Sequence, residues 1–326
     1  MGKELDPKTF VFSPEEVSEL TVQSLTEAQK EKNLVYLKTG IPQLDDHYVM
    51  HRPSKVNGIL AHISHGKTAL MNIMARNFVP QLKEGEIIMY CTWEDSVEDL
   101  NLSFVANTSL IPIQSLYSGE MGPDEWEKVI SNAALRAQTP LWLVGHSDMV
   151  ERKRSRLTMT DIWHAVDYIE NKMHFKVRAI QFDYLQRISR ADMRGDIREQ
   201  FMGIMDSIKD LSLSTGADST VGSQVSRDVQ TRKADQRQPQ DTDAQETSNF
   251  EQTCDGMMSL WIPKKGLKIG YSLIAKEGKD DTGVFVTENL MMIQTLKQKK
   301  GKAPVLRAVD YLPQFNRIET YSPNRK

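Results

Sequence analysis

The sequence predicts an α/β fold: a mainly parallel sheet covered by helices on both faces, with a short helical arm in front and a β-hairpin extension behind. Three observations carry this reading. From Leu34 onward, short β-rich runs alternate with amphipathic helical runs, as strand–helix–strand units do. Toward the C-terminus the helical runs stop and strand-like runs remain. The length of 326 residues suits one large α/β core with appendages, and a hydrophobic fraction of 39% suits a buried core in water.

The elements follow in order. "FSPEEVSEL" reads as a helix start: Ser13 caps, Pro14 takes the first helical position, Glu16 completes a capping box, and Phe12 and Val17 are spaced for a hydrophobic staple. A helix over about 14–31 follows. Its stripe of Val17, Leu20, Leu25 and Ala28 is too thin to make its own core, so it either packs on its own domain or docks on a neighbouring subunit. Residues 1–33 are therefore expected to form an arm and 34–326 the main domain.

In that domain "NGILAH" is a strand, "KTALMNIMARNF" a helix, "EIIMYCTWE" a strand and "SVEDLNLSFVA" a helix. "DEWEKVISNAALRA", "PLWLVGHS", "TDIWHAVDYIENKM" and "VRAIQFDYLQ" continue as helix, strand, helix and strand. "IREQFMGIMDSIKDLSLST" and "DSTVGSQVS" add a helix and a strand, and "GMMSLWIP", "YSLIAKEG" and "GVFVTENL" extend the sheet or form hairpins. The polar stretch Arg227–Gln252, with few apolar residues to bury, is expected to be a long mobile loop.

Composition excludes several classes of function. No apolar run approaches the roughly 20 residues of a membrane span, and the first residues lack an export signal, which together point to the cytoplasm. Cys91 and Cys254 lie in apolar stretches without C-x-x-C spacing, so both read as core residues of a reducing compartment. Net charge is -3 and the pI about 6.2, which gives no global attraction to nucleic acid; any DNA contact has to be local. The histidines are scattered, and a zinc site at His62 and His65 would lack further ligands.

The chemistry centres on Ala61, His62, Ile63, Ser64, His65, Gly66, Lys67, Thr68 and Ala69, "AHISHGKTA". A phosphate loop reads G-x-x-x-x-G-K-[ST]: Gly66, Lys67 and Thr68 fit it, while alanine stands at the first glycine position. Either the match is chance or Ala61 needs no positive φ. The strand before the loop and the helix after it favour a phosphate cradle of backbone N–H groups at a positive helix end, with Lys67 reaching the outer phosphates and Thr68 holding magnesium. Asp183, ending an apolar strand, can join the magnesium shell. Glu94, ending another strand, can orient and deprotonate water, and Gln224 ends a third.

At these residues the chain resembles the RecA-like ATPase domain of DnaB-family replicative helicases, a P-loop NTPase core. That family commonly has alanine at the first loop position, as at Ala61, and its Asp-bearing strand runs into D-Y-L-Q, here Asp183 to Gln186. "TGIPQLDD", "WEDSVEDL", "SQVSRDVQTR", "FEQTCDGMMSLW" and "LIAKEGKDDTG" resemble further family segments, so the likeness spans nearly all of 34–290. It implies an ATP- and Mg2+-dependent hydrolase assembled as a hexameric ring around single-stranded DNA, with a primase or loader as a further partner.

Lys67, Thr68, Glu94, Asp183 and Gln224 would serve one nucleotide, and the neighbouring subunit would supply a cation, Lys276. The family's arginine two residues later falls on Gly278, and lysine does not copy a bidentate guanidinium. DNA contact falls to the pore-facing segments carrying Arg190, Arg194, Arg227, Arg232 and Lys233. The competing reading is a RecA-like, nucleotide-dependent assembly or regulatory ATPase that binds DNA without unwinding it.

Overall fold

A computed structural model describes residues 12–31, 36–149, 156–244, 248–274, 283–299 and 301–322. The N-terminal segment, expected to be an arm, forms helix α1 (Pro14–Glu31). It opens on the expected capping box, Glu16 N–H to Ser13 Oγ at 3.2 Å and Ser13 N–H to Glu16 Oε2 at 2.6 Å. Phe12 and Val17 stay half exposed, at 52% and 50%, so the staple buries little. Leu20 and Leu25 are 51% and 65% exposed, which leaves the apolar stripe uncovered by this chain.

The main domain begins with the short helix α2 (Pro42–Asp45), where the Asp45 carboxylate accepts the N–H groups of Thr39 and Gly40. Strand β1 (Val56–Ala61) runs up the middle and the chain turns into α3 (Lys67–Phe78). Then come β2 (Glu86–Thr92), α4 (Val97–Ser109), α5 (Ile113–Ser118), α6 (Pro123–Ala137) and β3 (Leu141–Val144). The helix α7 (Met159–Asp167) runs on into a π-helical turn, and β4 (Lys176–Asp183), α8 (Ile197–Thr215) and β5 (Asp218–Gln224) follow. Capping boxes start α7, Thr158 with Asp161, and α8, Asp196 with Glu199. After α9 (Ser248–Thr253) come β6 (Gly256–Trp261), β7 (Ser272–Ile274), β8 (Val284–Phe285), β9 (Leu290–Gln298), β10 (Val305–Leu312) and β11 (Arg317–Thr320).

The main sheet has nine strands in the order β11-β10-β9-β6-β1-β5-β4-β2-β3. β1 pairs in parallel with β5 and β6, β4 with β5 and β2, and β2 with β3. β9, β10 and β11 extend it antiparallel beyond β6, and β7 with β8 forms a separate two-stranded ribbon. Side-chain alternation along the buried strands feeds two cores. Leu60, Met89 and Phe182 face α7 and α8 in one, and Ile59, Tyr90 and Leu141 face α3 and α4 in the other. Cys91 and Cys254 are buried free thiols, and burial raises both pKa values.

One expectation is corrected. The polar stretch from Arg227 is ordered over its described part by local turns and two long-range ties. Val225 bridges to Ala244, and Arg232 grips Asp243 with both guanidinium nitrogens, at 2.6 and 2.7 Å. Val229 and Phe250 are buried and anchor the segment in one core, so few apolar residues suffice to pin it.

Candidate functional site

The phosphate-loop candidate sits at the C-terminal edge of the parallel strands, where open α/β sheets bind ligands. Ala61 closes β1 in register with Gln224 of β5 and Leu260 of β6, so its backbone is extended and no glycine is required there. Positive φ falls instead on Ser64, at 60°, and on Gly66, at 85°. At Gly66 a Cβ would also come within 2.5 Å of the Met291 methyl, so this position needs glycine on two grounds. Helix α3 starts immediately after, with no acidic residue in its first turn to compete for an anion.

Lys67 is buried, and its Nζ lies 2.9 Å from Asp183 Oδ1 and 3.7 Å from the centre of the Tyr184 ring. The other carboxylate oxygen of Asp183 accepts the Tyr90 hydroxyl at 2.9 Å. Burial first, then the Asp183 charge, holds the Tyr90 pKa well above its ordinary value, so that phenol stays a donor. Gly222 makes room for the lysine stem: a Cβ there would meet Lys67 Cδ at 2.9 Å and Met71 Sδ at 3.0 Å.

A cavity of about 520 Å³ opens above this pair, and Lys67, Thr68, Glu94 and Gln224 all line it. His62, Ile63, Ser64, Gly66 and Ala69 line it too, whereas Ala61 and Asp183 are buried beneath. Glu94 is 49% exposed and loosely paired with Arg187 at 4.0 Å. Gln224 is fixed through its backbone N–H, which donates to Gln186 Oε1 at 3.2 Å, while Gln186 Nε2 donates to Ser223 Oγ at 2.9 Å. The D-Y-L-Q glutamine thus ties β4 to the end of β5.

Several residues of the site escape sequence reasoning. Asp95 lines the cavity beside Glu94, and burial, reinforced by Asp183, Glu94 and Asp99, pushes its pKa up to about 6. The opposite wall carries Lys264 and Lys265 from the turn after β6, and Asn289, Tyr311 and Asn316 from the antiparallel extension. Lys265 Nζ donates to the Ser64 carbonyl, and burial lifts the Tyr311 pKa to about 12. Nothing local to these segments shows which wall they build.

The donors around the cavity suit a triphosphate: a buried ammonium, a helix N-terminus, two further lysines, and a tyrosine and isoleucines for an apolar base. Thr68 and the carboxylates are hard oxygen donors of the kind magnesium takes. Among the described residues no group of three or more His, Cys, Asp or Glu forms a metal cluster.

The basic residues expected at DNA are less uniform. Arg194, Arg227 and Lys233 are exposed, and Arg190 is exposed with its guanidinium over the Phe201 ring at 5.1 Å. Arg232 is half-buried, and Asp243, itself buried, occupies its fork. Lys276 lies outside the described residues. No described helix is long and apolar enough to cross a membrane.

Fold and site together fit an ATP-hydrolysing enzyme of the RecA-like class, with the phosphate-loop candidate between β1 and α3. The model of the DnaB-like helicase C-terminal domain matches residues 36–320, and the chain belongs to that family of ATP-dependent helicases. Among solved structures it is similar to the ATPase domain of G40P, with a TM-score of 0.75 at 16% identity over 94% of this chain and 99% of that one. It is also similar to a DnaB-like replicative helicase described with its interactions with primase, with a TM-score of 0.74 at 16% identity over 98% and 69% of the two chains. At that identity both show the fold alone. No curated protein sequence matches the chain.

Proposed function

We propose that this helicase chain works as one subunit of a hexameric ring that hydrolyses ATP with magnesium and translocates on single-stranded DNA. The observation that carries the reading is a juxtaposition at one sheet edge: Lys67, opening α3, buried on Asp183 at the end of β4, with Glu94, just past β2, lining the cavity above them. The bound nucleotide with its magnesium supplies the scissile phosphoanhydride and the charge that activates it. Lys67 and the N–H groups of residues 63–68 bind and orient the outer phosphates. Thr68 and Asp183 hold the metal, with Tyr90 keeping the Asp183 carboxylate aimed. Glu94 takes the proton of the attacking water at its carboxylate. Gln224, fixed by Gln186, reads the phosphate side of the cavity. Lys276 of the adjacent subunit is the candidate cation in trans.

In this reading residues 1–33 are the arm and 34–326 the motor. The exposed stripe of α1 docks on the next subunit, for which α6 offers an apolar face of Trp126 and Ile130, each 55% exposed. Phosphates of the DNA are met by Arg190, Arg194, Arg227 and Lys233, while Arg232 holds the segment that displays Lys233. A primase, named with the second structure above, is carried over as a candidate partner. The test is Glu94→Gln: nucleotide binding persists, and both ATP turnover and strand displacement on a forked duplex are lost. Wild-type turnover in that variant would remove Glu94 from its role, and a parent that hydrolyses ATP without displacing a strand would remove unwinding.

A further inference from the structure

The phosphate loop carries two histidines that phosphate binding does not call for. His65 is locked: its Nδ1 accepts the Ile262 N–H at 2.8 Å, and burial, helped by His62 and Lys265, lowers its pKa to about 3. His62 reaches elsewhere. Only 6% exposed, it stacks at a tilt 4.9 Å from His65, and its Nε2 lies 2.8 Å from the carbonyl oxygen of Arg237. A carbonyl can only accept, so Nε2 carries the proton and donates.

Arg237 is not a loose end. Its Nε donates to the Arg232 carbonyl at 3.1 Å, Arg232 grips Asp243 at 2.6 and 2.7 Å, and the Asp243 carbonyl accepts the Ser226 N–H at 2.8 Å. Next to Ser226, the Val225 N–H donates to the Ala61 carbonyl at 3.1 Å, which returns the circuit to the residue beside His62. The segment 226–243 is therefore a closed ring of hydrogen bonds fastened to the phosphate loop at two adjacent residues. One fastening is backbone and invariant to side-chain change; the other is a single histidine N–H.

We propose that His62 is a positioning residue through which the phosphate loop sets the conformation of segment 226–243 when nucleotide binds. The inference rests on the reading that this loop holds nucleotide and that the segment displays Lys233 to DNA. Coupling needs an element whose geometry both sites bias, and this hydrogen-bonded ring, also held to β6 by Gln238 Nε2 on Ser259, joins the phosphate-loop candidate to the stretch carrying Lys233.

The test uses the full chain, with adenylyl imidodiphosphate and magnesium at saturation so that changes in nucleotide affinity drop out. Amide hydrogen exchange is read on peptides spanning 226–243. The nucleotide is expected to change exchange there by about 5-fold or more in the parent. His62→Phe, which keeps a ring and loses the N–H, abolishes the change, and His62→Gln, which restores a donor, retains it. A change in His62→Phe as large as in the parent overturns the proposal, as does an unresponsive segment in the parent or a His62→Gln as silent as the phenylalanine. Anisotropy of a labelled oligothymidylate on the same proteins separates the two readings. Exchange coupling without any DNA binding leaves the His62 link standing and removes the DNA role. DNA affinity that responds to nucleotide equally in parent and His62→Phe does the reverse.

Discussion

Replacing Lys67 by methionine removes the cation from the most buried ion pair of the site, and the cost can be worked from its geometry. The charges lie 2.9 Å apart on side chains 9% and 4% exposed. At an effective dielectric constant of about 20 the attraction is about 6 kcal/mol. Taking both ions out of water offsets much of that, so the pair itself is worth little, whereas stranding one partner costs about 3 to 5 kcal/mol. The Tyr90 hydroxyl still supports the abandoned carboxylate, which favours the lower end of that range. Lys67→Met is thus expected to lower stability by about 3 kcal/mol, and Lys67→Met combined with Asp183→Asn to cost clearly less than the sum of the single changes, with a coupling of about 2 kcal/mol. Urea denaturation followed by far-ultraviolet circular dichroism, without nucleotide, reads both values. Single losses below about 1 kcal/mol with additive effects would refute the argument that burial makes this pair a structural unit.

Three further outcomes follow from other parts of the molecule. Lys233→Ala should weaken single-strand binding alike across sequences and flatten its salt dependence, whereas Arg232→Ala should mainly lower stability, because it strands the buried Asp243; titrations at several salt concentrations beside melting curves check the split. Asp95→Asn should raise the stability of the nucleotide-free protein by about 1 to 2 kcal/mol near pH 8, after allowance for solvent screening at a half-buried carboxyl. Because the Asp95 pKa is raised to about 6, the native carboxyl favours folding when protonated and loses that contribution as pH rises through 6, so the advantage of asparagine vanishes toward pH 4; equal melting shifts at both ends would contradict it. A chain beginning at Tyr36 should lose ring assembly, since Val17, Leu20 and Leu25 are worth on the order of 1.5 to 3 kcal/mol each when fully buried; an unchanged mass by light scattering would mean α1 is not the tie.

The parallel half of the sheet was legible in the chain because its signals are local. A strand, a turn and a helix around Gly66, and acidic residues at the ends of β2 and β4, lie within a few residues of their own markers. The family expectation at Ala61 finds its physical reason in the ladder, where the residue is still strand. What stayed hidden depends on partners far apart in sequence. Nothing near Asp243 announces that Arg232 will grip it, so the polar segment read as mobile. Nothing local to Asp95 announces its burial, and only the fold brings Asp183 close enough to help raise its pKa. Asn289 immediately precedes β9 and Tyr311 lies near the end of β10, a strand the sequence reading did not reach, and their place across from the phosphate-loop candidate is set by antiparallel pairing through β6 and β9.

That pairing has a consequence for how the enzyme comes into being. One wall of the cavity is laid down at residues 62–69 and the other is completed only at Tyr311, Pro313 and Asn316, close to the end of the described chain. During synthesis from the N-terminus the phosphate loop emerges long before its opposite wall, so no nascent intermediate can present the finished cavity. Ligand affinity therefore reports on completion of the whole sheet, from the central β1 to the edge hairpin. By mass action a ligand of the finished cavity would stabilise only chains that have closed the last strands, so binding would select for the completed fold.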